Sequence, residues 1–372
     1  MNTNTIELPA WLEVVVIPLL NILAALFFAG LIMLAIGVNP IEAVGIMLNG
    51  AFGYDEGVGY TLYYTTNFIF TGLAVAVAFH ASLFNIGGEG QAYIGGLGVG
   101  LVFLLLDQYL PAILLIPIGI FAAGLFGAAW AFIPAWLQAY RGSHIVITTI
   151  MFNFIASSLM VYLLVNVLIK PGQMSPETRQ FDEAGWMPFM HEFLGGLGFE
   201  ITRSPLNLSF FLALLCCLLV WLYIWRTRWG YELRTAGYSE DAATYAGIKP
   251  RKIIISAMCI SGALAGFVAV NEIMGVHHRV LMNFPAGYGF TGIAVSLMGR
   301  NHPVGIIMAS LLFGVLYQGG AELAFEIPKI TREMVVAIQG LIILFSGALA
   351  LMFRPWIVRL YLKFKPLTVQ HD

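Results

Sequence analysis

The sequence predicts an all-α integral membrane protein of about ten transmembrane segments, with a helix broken around 84–91 and one short cytoplasmic helix between two spans. Three observations lead there. Of 372 residues, 59% are hydrophobic and only 10% are charged, whereas soluble domains carry about 25% charged residues. The apolar residues are gathered into runs, and a run of about 20 crosses a bilayer as a helix. The 40 glycines suit helices that approach one another closely in lipid.

Ten apolar runs follow in order: 12–36, 61–83, 91–106, 110–137, 145–169, 206–225, 253–273, 288–300, 304–321 and 334–353. The eighth is short for a full span. All ten fall in one transmembrane domain, 1–372, with an outer loop at 170–205, a cytoplasmic loop at 226–252 and a cytoplasmic tail at 354–372. The sidedness comes from Lys and Arg. Of 18 such residues, six lie in 226–252 and four (Arg354, Arg359, Lys363 and Lys365) in the tail. Positive residues mark the cytoplasmic side, and four runs separate the two segments, so their parity agrees. Counting back places 170–205 outside and the N-terminus inside. The basic tail suits contact with anionic lipid.

The break between the second and third runs reads Phe84-Asn85-Ile86-Gly87-Gly88-Glu89-Gly90. Each glycine disfavours a continuous helix by about 1 kcal/mol relative to alanine. Unwound backbone at membrane depth is tolerated only where it is buried in protein or lines a cavity. An ionisable residue such as Glu89 costs about 2.5–3.5 kcal/mol on insertion scales, so it needs a polar cavity or a partner. Two roles stand side by side. Glu89 either faces a polar pathway, with Asn85 and Gln91 lining it and Phe84 as a stacking surface, or accepts backbone N–H groups structurally. Asn67, His80, Asn153, Asn271 and Glu272 are the other polar residues within runs. Interhelical hydrogen bonding is the usual role of such residues; Asn67 and Asn153 are the stronger pathway candidates. Phe68 is a second stacking candidate.

The polar insert at 232–252 carries helix signals of its own. Ser239 suits an N-cap, and Glu240 and Asp241 fall in the first turn, where the helix dipole favours acids. Ala242 to Ala246 continue the helix, Gly247 suits its C-terminal stop and Pro250 enforces it. A helix of about two turns is marginal alone in water, so it needs a partner surface, with Tyr245 as its aromatic anchor. Lying on the headgroups is the alternative. On the other face, 170–205 carries five acidic residues (Glu177, Asp182, Glu183, Glu192 and Glu200) against Lys170, Arg179 and Arg203. It is long enough to be a docking surface, or a solvated loop with short interfacial helices.

Several chemistries are excluded. No phosphate-binding Gly-x-x-x-x-Gly-Lys-Ser/Thr run, His-Glu-x-x-His, Cys-x-x-Cys or Gly-x-Ser-x-Gly occurs, so an enzyme reading has no residues to stand on. Cys216, Cys217 and Cys259 all lie in apolar runs, leaving neither a disulfide framework nor a metal site. No basic block points to a nucleic acid polymer. The N-terminus lacks the basic region of a cleaved signal peptide. Gly262-x-x-x-Gly266 and Gly124-x-x-Gly127 read as helix-packing seams.

Gly230-x-x-Leu233-Arg234-x-Ala236-Gly237, followed by Asp241-Ala242-Ala243-x-Tyr245-Ala246-Gly247-Ile248, resembles the coupling-helix region of bacterial ABC importer permeases. The group concerned includes sugar, branched-chain amino acid and nucleoside permeases. Phe84 to Gln91, and Gly142 to Ala156 with its Ile147-Thr148-Thr149 run, are similar to the nucleoside (basic membrane protein type) branch. This chain departs from that pattern at His144-Ile145. The resemblance runs from the second segment to the C-terminus. It implies a permease subunit in the bacterial inner membrane that moves nucleosides. It also implies an ABC ATPase subunit, with ATP and Mg on that partner and no cofactor on this chain. A second permease subunit, related or identical, and an extracytoplasmic substrate-binding protein complete the set. On this resemblance Arg234, Gly237, Glu240, Asp241, Ala242, Tyr245, Gly247 and Ile248 engage the ATPase, and Asn67, Phe84, Asn85, Glu89, Gln91 and Asn153 line the substrate pathway. A simple sugar such as ribose or galactose is the alternative substrate. A stand-alone secondary transporter is a further alternative; it would have to couple ions through Glu89 and Glu272 and would leave the 232–252 helix without a purpose.

Overall fold

Every regular element among the described residues is helical, as a bilayer demands: without water, backbone N–H and C=O groups must bond within their own segment. The computed structural model describes residues 9, 12, 16–199, 201–345 and 353–364. In chain order the helices begin with α1 (Ile17–Ala35), α2 (Pro40–Phe52), α3 (Asp55–His80), α4 (Gly88–Leu106), α5 (Ala112–Arg141) and α6 (Ile145–Asn166). After a single 3-10 turn at Glu183–Gly185 come α7 (Met190–Gly195), α8 (Ser209–Arg226), α9 (Arg228–Tyr238), α10 (Glu240–Tyr245) and α11 (Pro250–Gly266). A π-helical stretch, Val270–His277, continues from α11, followed by α12 (Tyr288–Met298), α13 (Pro303–Glu326), α14 (Arg332–Ile343) and α15 (Arg354–Phe364).

The count of about ten spans is not reached. Seven helices among the described residues are long and apolar enough to cross a membrane, or eight if the bent pair α1–α2 is one span. All ten predicted runs do contain helix. The shortfall is one of length: α12 has 11 residues, about 16 Å at 1.5 Å per residue against a hydrocarbon core of about 30 Å. α14 has 12, and 346–352, in the remainder of the tenth run, lie outside the described residues. So do Glu200 and Lys365. Helix α2 falls in no predicted run.

The chain divides into two compact units, 1–50 with 319–372, and 51–318. In the first, α1 packs on α14 and Phe28 stacks on Phe345 with ring centroids 5.0 Å apart. The chain turns by 116° between α1 and α2, and Gly37, at φ +78, supplies the left-handed residue that this corner needs. Ile17 meets Ile357 and Val358 of α15 in a small apolar core.

In the second unit α11 runs along α5. A Cβ on Gly127 would overlap the carbonyl of Gly262, and one on Gly266 would overlap that of Ala123. The predicted seams are therefore real: only hydrogen lets these backbones meet, and dispersion contacts follow from the closeness. Phe103, Leu115, Met160, Leu164, Ile273 and Met274 fill the core between α4, α5, α6 and the π-helical stretch. The outward faces of α5 and α6 are bare apolar surface, with Ile113, Phe121, Ile147 and Phe154 exposed, as a lipid-facing surface requires.

Candidate functional site

The turn joining α3 to α4 is closed on itself by polar side chains. Asn85 is the hub. Its Oδ1 accepts from the N–H of Gly87 (2.9 Å) and from Gln91 Nε2 (3.1 Å). Its Nδ2 donates to Gln91 Oε1 and to Ser261 Oγ, both at 2.9 Å. Asn153 on α6 grips the same turn from the other side: its Oδ1 accepts from the N–H of Gly90 and its Nδ2 donates to the carbonyl of Ile86, each at 2.9 Å. Glu89 accepts from the N–H groups of Gly287 (2.8 Å) and Gly289 (2.9 Å). Its carboxylate thus takes up two unpaired donors at the start of α12, where the dipole favours a negative charge. The alternative reading, Glu89 as acceptor of backbone N–H groups, describes this geometry, with the donors on α12 rather than on its own helix. Gly289 is needed there, because any Cβ would overlap the backbone of Glu89. Phe84 packs edge-on against Phe79 with centroids 5.3 Å apart.

Asn67 is not part of this group. It lies 13 residues before the end of α3, about 20 Å along the axis, in a second and deeper network. There Glu272 Oε1 accepts from Tyr63 Oη (2.6 Å) and Asn67 Nδ2 (2.5 Å). His277 Nε2 stands 3.4 Å from Oε2 of the same carboxylate. Asn271 Nδ2 donates to Asn67 Oδ1 (2.9 Å) and its Oδ1 accepts from Asn207 Nδ2 and Ser209 Oγ, both at 2.9 Å. The π-helical stretch makes this convergence possible: its wider turn puts the neighbouring Asn271 and Glu272 both against α3. Such turns recur at functional sites.

Beside Glu272 stands an aromatic cluster. Phe68 meets Tyr317, Tyr288 and Phe313 edge-on at centroid distances of 4.9, 5.5 and 5.8 Å. Tyr64 lies between Tyr63 (5.1 Å) and Tyr317 (5.6 Å). A carboxylate, amides and aromatic rings are thus packed side by side, with Asn67, Phe68, Asn271, Glu272 and Tyr288 all buried. Sequence reasoning picked out Asn67, Phe68, Asn271 and Glu272 one by one but missed Tyr63, Tyr288 and Tyr317. The available signal was that Tyr63, Asn67 and Thr71 share one face of α3 at i, i+4 spacing.

The 170–205 loop is built into the fold. Arg179 makes a two-pronged bond to Asp107, 2.7 Å on each arm, and the N–H of Asp182 adds a third to the same carboxylate at 3.0 Å. Burial alone would raise the Asp107 carboxyl, but the Arg179 and Asp182 bonds outweigh it and hold it below the usual range. The N–H groups of Phe181 and Met187 bond the carbonyls of His278 (2.7 Å) and Met274 (2.9 Å). Trp186 stacks on His278 at 4.0 Å and 12°. His278 is thereby a buried packing residue, and burial lowers its imidazole below the ordinary histidine value. No three-residue cluster suited to a metal occurs among the described residues.

The insert between α8 and α11 folds as two helices rather than one. α9 starts at Thr227, whose Oγ1 accepts from the N–H of Gly230 at 3.1 Å, and buries Gly230, Leu233 and Ala236. Gly237 sits against the end of α3, where a Cβ would overlap the His80 carbonyl, and its own carbonyl accepts from Ser82 Oγ at 2.5 Å. α10 follows the sequence signals closely. Ser239 Oγ accepts from the N–H of Ala242 at 3.2 Å, Glu240 and Asp241 occupy the first turn, and Gly247 ends the helix at φ +80. The N–H of Ile248 returns to the Ala243 carbonyl at 2.9 Å. Ala243 is buried, whereas Tyr245 is 96% exposed. Arg234 differs from its neighbours, because its Nε is buried without a hydrogen-bond partner.

Comparison with known proteins fits this arrangement of packed spans and an exposed short polar helix. Residues 57–347 match the family described as branched-chain amino acid transport system / permease component. The guanosine ABC transporter permease protein NupP of Bacillus subtilis is 35% identical over 89% of this chain and 92% of its own length. The glucose ABC transporter permease protein TsgB13 of Haloferax volcanii is 33% identical over 91% of this chain and 88% of its own. The nucleoside ABC transporter permease protein NupB of Lactococcus lactis is 32% identical over 89% and 90%. The chain thus belongs to the branched-chain amino acid transport system permease family.

Proposed function

We propose that this chain is the membrane-spanning subunit of a bacterial ATP-driven importer that carries nucleosides across the inner membrane. The observation that carries the reading is α10: a capped two-turn helix, anchored through Ala243 and presenting Tyr245 bare. A helix so short needs a partner surface, and an ABC ATPase subunit is the partner that supplies both a surface and a force. A second permease subunit, an extracytoplasmic substrate-binding protein and membrane lipid complete the set of partners, with both termini cytoplasmic. ATP and Mg belong to the ATPase.

Nucleosides as substrate class are supported by the guanosine and nucleoside permeases among the relatives, and the aromatic Phe68–Tyr288 pair lies beside the Glu272–Asn67 pair. Substrate passes the deeper network first, where Asn67 hydrogen-bonds polar edges, and then the turn formed by Phe84, Asn85, Glu89 and Gln91 with Asn153. A second reading, a simple sugar, is favoured by the glucose permease relative; sugars share the hydroxyl chemistry but gain less from stacking.

The test is uptake of labelled guanosine, uridine and glucose by vesicles holding the whole importer with its binding protein. ATP-dependent nucleoside uptake that unlabelled nucleosides compete away is expected. Glucose uptake alone moves the substrate to the second reading. Uptake that persists without the ATPase subunit overturns the importer.

A further inference from the structure

Within the second unit, α7 and the first turns of α3 and α8 enclose a cavity of about 260 Å³. Val58, Leu62, Leu194, Leu206, Phe210 and Phe211 give it apolar walls. Such a space favours hydrocarbon over water, which finds too few hydrogen-bond partners there. The walls are fixed in place. The N–H of Met190 donates to the Leu206 carbonyl at 2.8 Å, and that of Leu208 to the Pro188 carbonyl at 3.1 Å. The cavity also continues into a lipid-facing surface. Phe211 lines it and is half exposed, and Leu215, Leu218 and Leu222 carry the same exposed face along α8, which is long and apolar enough to span. Asp55 and His191 are the ionisable groups of its lining. Asp55 is in none of the ion pairs among the described residues. His191 stacks on Phe189 with centroids 5.3 Å apart, and its Nδ1 is buried with no hydrogen-bond partner. A buried polar atom left in that state is costly.

We propose that this cavity holds one acyl chain of a zwitterionic phospholipid, with the lipid's ammonium group at Asp55. Asp55 and Leu62 lie seven residues apart on α3, about 10 Å along the axis, so a polar group and an apolar depth follow in the order of a headgroup and its chain. With its proton on Nδ1, His191 donates to an ester or phosphate oxygen of the lipid and gains the partner it lacks. Charge favours a headgroup that carries both signs. Glu56 and Glu192, exposed beside Asp55 and His191 in sequence, add acids, and Arg203, exposed between Ile201 and Ser204 of the lining, adds one base. Acids outnumber bases here, so an ammonium is attracted and a net anionic lipid is not. A chain seated under α7 would wedge the 170–205 loop against α3 and α8. Binding here is independent of what the permease carries.

The full chain is placed in vesicles of phosphatidylethanolamine and phosphatidylglycerol that contain a trace of phosphatidylethanolamine with a photoreactive acyl chain. After irradiation, the label is mapped by mass spectrometry of peptides. Residues 58–62 and 190–211 are expected to take about tenfold more label than the bare faces of α5 and α6 at Phe121 and Phe154, the gain that burying a few methylenes gives. Leu194→Trp, which fills the cavity, should remove the excess and leave labelling of α5 as it was. The same reactive chain on phosphatidylglycerol should give an excess about fivefold smaller, the scale of one charge–charge contact near water. Label spread evenly over the apolar faces, an excess that survives Leu194→Trp, or an equal excess from both lipids would overturn the proposal. Should the variant fail to fold, the two headgroups compared on the wild-type chain decide the matter: a larger excess with phosphatidylethanolamine supports the site, and equality defeats it. Protection of 190–211 only by the substrate-binding protein or a second permease copy, with no excess of lipid label, makes the occupant a protein and defeats it too.

Discussion

The connection between α6 and α8 and the one between α8 and α11 are both polar segments of a membrane protein, yet they are built oppositely. The first is sewn to the core. Arg179 holds Asp107, Trp186 stacks on His278, and backbone N–H groups of 181 and 187 bond carbonyls of 278 and 274. The second is fastened along α9 and then released: α10 keeps one buried residue and exposes the rest. The exposed segment makes few contacts with its own chain, whereas the other is fixed by many. The difference lies in side-chain bookkeeping and not in charge, because both segments carry acids and bases.

The largest effect that would break this comparison is on transport. Replacing Glu240–Tyr245 by a Gly/Ser run in the assembled importer is expected to lower ATP-dependent uptake by more than about tenfold, since a helix of this length without propensity does not form. The thermal midpoint of the chain should barely move; unchanged uptake would show that α10 is not where force enters. Next comes the Asp107–Arg179 clamp. Asp107→Ala leaves Arg179 without its carboxylate and should cost about 2 kcal/mol, the scale of hydrogen bonds to charged groups, seen as a lower midpoint of unfolding. A loss as small as that of a surface residue would mean the loop is not sewn down.

Acid tests the same contact. Because the folded Asp107 carboxyl lies below its unfolded value, its contribution is complete above the unfolded value, about pH 3.9. It fades as pH falls through the folded value, where the native state too takes up the proton. Asp107→Asn should therefore flatten the acid limb of the stability curve below about pH 4; an unaltered limb would show that other carboxylates govern it. The smallest effect is at the cap of α10. Ser239→Ala should cost about 1 kcal/mol of local helix stability, visible as faster amide exchange at Ala242 to Thr244, with no change in the 170–205 loop.

Local features were legible in the sequence because their causes are local. Ser239, Gly247 and Pro250 act on the residues beside them, and the glycines at 127, 262 and 266 report close approach wherever they meet. The break at 84–91 was legible for the same reason. What the sequence could not show is pairing across distance. Asp107 and Arg179 lie 72 positions apart, and Tyr63 and Glu272 lie 209 apart; nothing in either neighbourhood names the other. Helix α9 escaped notice because glycines fall at 230 and 237, among the positions it buries or packs closely. There the residue that discourages helix is the one the packing needs. Among the described residues fewer helices than the ten runs are long enough to span, because apolarity is not length: 288–298 is apolar but stops at 11 residues.

One feature of α11 reaches further than packing. The Ile248 N–H closes on α10, and Pro250 opens α11 two residues later, so almost no slack separates the two helices. From Pro250 the rod runs unbroken to His277, clamped along α5 by glycine and ending in the wider π turn that holds Glu272. The element that begins beside α10 is therefore the one that holds Glu272 against Tyr63 and Asn67. The capped helix and the buried carboxylate thus stand at opposite ends of one continuous rod.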